Sequence, residues 1–150
     1  MTTRVLIPSG ALGLNYDQVA LDRGIAMKPD IIAIDGGSTD SGPAYLGRGV
    51  SKYSRASTKI EWRGLMEARA KTGVPLVIGT SGTCGADNAV DWMLDITREI
   101  ATDLRQSLKI AVLRCSQDTA VMSTAFSDGR ITPLPAAPNV TADDFATCTN

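Results

Sequence analysis

The sequence predicts an α/β domain: an open, mostly parallel sheet with helices on both faces, in Rossmann-like layers. Three observations lead there. Residues 4–8 (RVLIP), 30–35 (DIIAID), 75–79 (PLVIG) and 108–113 (LKIAVL) are nearly continuous in Val, Ile and Leu rather than alternating. Such runs suit strands covered on both faces, as in parallel sheets. Helix-patterned segments separate them in the order β-α-β-α-β-α-β-α, which right-handed crossovers wind into layers. Finally, 150 residues with 43% hydrophobic and 21% charged content are enough for one core.

The helices carry their own signals. Asn15 reads as an N-cap with Gln18 completing a capping box, and Leu14 with Val19 as a hydrophobic staple; this helix should stop near Lys28-Pro29. Thr58 with Glu61 is a second capping box, its helix ending at Gly73. From about Asn88 to Gln106, Val90, Met93, Leu94, Thr97, Ile100, Ala101 and Leu104 keep the helical period. A shorter helix is expected over 119–127, closed by Asp128-Gly129. Residues 1–135 thus form the α/β domain, and 136–150 a Pro-rich connector and the start of a truncated helix at Thr141. Such a helix has little to pack on, so self-association or a missing C-terminal domain is expected.

Composition removes several kinds of chemistry. With no histidine, this chain can build neither a Ser-His-Asp triad nor a Cys-His pair. Net charge of −1 argues against nucleic acid, and no apolar run is long enough for a membrane span. Cys84, Cys115 and Cys148 form no CxxC pair and read as free thiols of a cytoplasmic protein.

Ligands of open α/β sheets bind beyond the carboxyl ends of the strands. There the sequence places Ser9-Gly10 after the first strand, Asp35-Gly36-Gly37-Ser38-Thr39-Asp40 after the second, and Thr80-Ser81-Gly82-Thr83-Cys84-Gly85-Ala86-Asp87 after the third. The first βα turn has no GxGxxG dinucleotide fingerprint, and the third loop lacks the P-loop lysine. Glycines before a helix start can still cradle a phosphate. Asp35 and Asp40, spaced across Gly-Gly-Ser-Thr, suit acid/base work or a divalent metal; alternatively Asp35 caps its turn and Asp40 lies in solvent. Arg48, Lys52, Arg55, Lys59 and Arg63 against Glu61 would attract an anion, with Arg55 the preferred contact, or would form a solvated surface. Asp91, Asp95, Glu99 and Asp103 read as the solvent face of the third helix.

Pro8-Ser9-Gly10-Ala11-Leu12-Gly13, the run 29–43 centred on Asp35-Gly36-Gly37-Ser38-Thr39-Asp40-Ser41-Gly42-Pro43, Tyr45-Leu46-Gly47, Ser54-Arg55-Ala56, the run 75–82 and Asp91-Trp92 resemble the acyclic terpene utilisation family. The resemblance spans roughly residues 4–135, in order. It implies an N-terminal domain of a catabolic enzyme or accessory factor, with a small anionic organic ligand such as an organic acid or its coenzyme A thioester. No catalytic residue carries over. The alternatives are a non-catalytic nucleotide or coenzyme A binding module, and a structural subunit of a larger assembly.

Overall fold

A computed structural model describes residues 2–37 and 43–147. Its elements are β1 (Val5–Leu6), α1 (Gln18–Ala26), β2 (Ile31–Asp35), α2 (Pro43–Arg48), α3 (Arg55–Thr72), β3 (Leu76–Gly79), α4 (Asp87–Asp103), α5 (Thr119–Ser127) and α6 (Ala142–Ala146). The fold is α/β, and its sheet is open and parallel, in the order β1-β2-β3.

The sheet steps in one direction, from β1 to β2 to β3. Right-handed crossovers then bring successive helices to the same face. The core agrees: Leu21 of α1, Trp62, Leu65, Met66 and Ala68 of α3, and Met93, Ile96 and Ile100 of α4 share one cluster with Ile32 and Ile34. Register puts Leu6, Leu76 and Ile78 on that same side, beside Ile32 and Ile34. The other side carries Val5 and Val77, 53% and 46% exposed. Among the described residues, the helices that build the core cover one face. The strands alternate in burial accordingly, although their sequences read as continuous.

Segment 108–113 corrects the expectation of a fourth strand. It forms no strand, and no backbone hydrogen bond ties it to β3. Leu108 packs against the core while 109–113 lie exposed. Beyond it, Arg114 pairs with Asp91, and Asp87 Oδ1 accepts from the amides of Cys115 and Ser116 (3.2 Å each). These bonds hold the strap to the start of α4 by side chains rather than by a ladder.

Helix starts shift for local reasons. α1 is capped by Asp17, whose carboxylate accepts from Ala20 N, while Asn15 turns into the left-handed region at φ 63°. The proposed staple does not close, since Leu14 and Val19 are 59% and 67% exposed. α3 is capped by Ser54 Oγ, accepting from Ser57 N, and Thr58 is buried within it. α2 is a helix that the sequence reading did not contain. α5 keeps its expected bounds, and α6 folds back on it, with the Phe126 and Phe145 rings 5.5 Å apart. Among the described residues, no helix is long and apolar enough to cross a membrane.

Candidate functional site

The loops after all three strands meet at the carboxyl end of β2. Leu12 N donates to Asp35 O (2.8 Å), tying the first loop to the central strand. Gly36 N donates to Gly79 O (2.6 Å), and Thr83 N to Gly36 O (3.2 Å). The approach is so close that a Cβ on Gly36 would lie 2.5 Å from Gly79 O. Glycine at that position is what allows the second and third loops to touch.

Asp35 braces this junction. Its Oδ1 accepts from Gly37 N (3.2 Å) and from the Thr80 hydroxyl, which also lies 3.1 Å from Gly37 O. The residue is exposed, with its carboxylate at the surface of the junction. Thr80 and Thr83 hold φ values of 39° and 80°. Such values are genuine outliers for β-branched residues. The surroundings over-determine Thr83: it is 1% exposed, and its Oγ1 accepts from Lys52 N (3.0 Å) and sits 3.4 Å from Ser51 Oγ.

Glu61 completes the support. Although it lies on α3, its Oε2 accepts from Gly13 N (2.7 Å) and its Oε1 from Asn15 N (3.1 Å). Tyr16 Oη donates to Glu61 O (2.8 Å). Burial, with the Glu61 and Glu67 charges adding to it, pushes the Tyr16 phenol up to about 12. Glu61 read as the last member of a capping box in sequence. Its helical spacing to Leu65 and Ala68, at i+4 and i+7, was the signal that this carboxylate falls on the buried face and would need partners.

The other candidates are distributed as follows. Ser9, Gly10, Gly36, Gly37, Thr80, Ser81, Gly82 and Gly85 lie in the converging loops. Ser38, Thr39 and Asp40 lie outside the described residues, so the carboxylate pair is represented by Asp35. Arg55 is committed to Glu99, with Nη1 2.7 Å from Oε2. Lys59 pairs with Glu99 and Asp103, and Arg63 with Glu67 and Asp103. The basic stretch thus meets acids of α4, and the expected solvent face of α4 is in part an ion-pair seam against α3. Lys59, then Arg55, holds the Glu99 carboxyl below its usual range.

The anion cradle at α4 is partly filled by the chain itself. Asp87 stands in its first turn, with its side chain spent on the strap. Ala89 N donates to Asn88 Oδ1 (2.9 Å), and the Asn88 amide donates to Gly49 O (2.7 Å). Cys84 is buried and Cys115 exposed, both as free thiols; Cys148 lies outside the described residues. Among the described residues, no three His, Cys, Asp or Glu side chains gather as metal ligands. The chain matches no protein-family model, no curated protein and no solved structure.

Proposed function

We propose that this chain is a small-molecule-binding α/β domain of the acyclic terpene utilisation kind. It would serve cytoplasmic catabolism by acting on a small organic acid or its coenzyme A thioester. The observation that carries the reading is the strained junction at the end of β2. Two threonines at positive φ and a surface carboxylate sit where three loops meet. Backbone strain of this kind costs about 1–3 kcal/mol per residue and concentrates at ligand and active sites. Asp35 would serve as the acid/base or metal-binding group, and the glycines of the third loop would admit the ligand's anionic part. Rossmann-like layering belongs to the same reading. It requires a second layer over Val5, Ile7 and Val77, from a second copy or a C-terminal domain.

One observation favours the binding-module alternative. Asp35 Oδ1 is already engaged with Thr80 and Gly37, which is the work of a brace. Asp35→Asn separates the two readings. A thermal-shift screen of phosphates, acyl thioesters and divalent metals finds the ligand first. For an enzyme, the variant should keep its melting temperature and lose turnover of that ligand. For a brace, it should melt earlier and bind less. If none of these probes shifts the melting temperature of the wild-type protein, the small-anion reading fails.

A further inference from the structure

Beside β3 the chain encloses a groove of about 470 Å³. β3 lines one part of it and segment 108–113 another; Trp62 and Met66 of α3 and Met93 and Leu94 of α4 are also in its walls. A volume in this range, mostly apolar with few polar groups, is what small-molecule sites offer. The charged groups here are of one sign. Arg69 and Lys109 lie on the lining, while no aspartate or glutamate does. Neither cation forms an ion pair among the described residues. Gln106 also lines the groove, and its buried Oε1 has no hydrogen-bond partner. A buried amide oxygen without a donor is costly. Turned over, the amide would place Nε2 in that position, ready to donate to an acceptor bound in the groove.

We propose that this groove binds an amphiphilic anion: an alkyl chain bearing a single carboxylate. The chain would lie among Trp62, Met66, Met93 and Leu94, and the carboxylate would meet Arg69, Lys109 and the turned Gln106 amide. Apolar walls favour the chain by removing it from water. Unpaired cations with no acid nearby favour the negative head over a neutral one. The groove reaches the third loop at Ser81, but the cations that define it, Arg69 and Lys109, lie outside the loop junction at Asp35.

Decanoate is the probe, with 1-decanol and acetate as its two halves. Trp92→Phe leaves Trp62 as the fluorescent reporter. Decanoate should change Trp62 emission saturably, 1-decanol should bind about tenfold more weakly, equivalent to ~1.4 kcal/mol, and acetate should have no effect. The double variant Arg69→Gln/Lys109→Gln should bring decanoate to the level of 1-decanol while leaving 1-decanol unchanged. Three results would each overturn the proposal: no saturable response to decanoate, equal binding of decanoate and 1-decanol by the parent, or strong amide-exchange protection at Ile110 and Val112 in the free protein. The last would mean that 108–113 closes onto β3 and fills the groove.

Discussion

Removing the Glu61 carboxylate should destabilise the fold by about 3 kcal/mol, because it is the buried acceptor for two loop amides. The side chain reaches from α3 to the β1–α1 loop, taking Gly13 N at 2.7 Å and Asn15 N at 3.1 Å, in a residue only 9% exposed. Hydrogen bonds to a charged group contribute roughly 1.5–3 kcal/mol each, so the lower end of that range already gives the figure for the pair. For a chain of this size, ~1 kcal/mol moves the melting temperature by about 2–4 °C, which predicts a fall of about 6–12 °C for Glu61→Ala. Glu61→Gln keeps one acceptor and turns a donor toward the other amide, so its loss should be intermediate. Urea unfolding of the three proteins measures the series. If Glu61→Ala stays within about 0.5 kcal/mol of the parent, the scale of an ordinary surface substitution, the clamp carries no weight and the argument is refuted.

Gly36→Ala should cost about 1–3 kcal/mol by overpacking, since its Cβ would meet Gly79 O at 2.5 Å, whereas Gly10→Ala, with nothing within 4 Å, should be near neutral; thermal melts of the two compare them directly. In an alkaline titration followed by phenolate absorbance, one tyrosine should ionise only near 12, and Tyr16→Phe should remove that step. Because the folded phenol holds its proton above its ordinary value of 10, stability should fall as pH rises through the window from 10 to about 12. A titration without a late step would contradict the burial assigned to Tyr16. Glu99 has the opposite sign: its folded carboxyl lies below the ordinary 4.5, so its ion pairs contribute fully above that value and are lost as pH falls through the folded one. Glu99→Gln should therefore flatten the acid side of a urea-midpoint profile, and an unchanged profile would show the α3–α4 seam to be inert.

How much was legible in the sequence depends on the range of the interaction concerned. β2 and β3 are local runs of apolar residues and sit where the pattern puts them. α5 does as well, because Asp118 caps it through the amides of Ala120 and Val121, a device contained within four residues. α3 was recognisable as a helix ending at Gly73, where a left-handed C-cap at φ 74° suits glycine. Its beginning was not, because Ser54 and Thr58 are both plausible caps and only packing buried the second. At the candidate site, the gathering of glycines and Asp35 beyond the strand ends could be read in advance. That Thr80 and Thr83 would be strained, and Glu61 recruited from another element, could not.

The sequence by itself determined the α/β alternation, the loops that face one sheet edge, and the absence of histidine chemistry. Those follow from residue type and spacing along the chain. Tertiary structure decided which face of the sheet is covered, because strand order is set by pairing between distant segments; the order β1-β2-β3 sends the crossovers to one side. It also decided the partners of the charges. Arg55 and Lys59 look available to a ligand until α4 lays Glu99 and Asp103 against them. The fate of 108–113 was decided in the same way. Its composition suits a strand, but a strand exists only where a neighbouring backbone offers a ladder; here no backbone bond joins the segment to β3, and Arg114 ties the chain beyond it to Asp91 and Asp87 of α4.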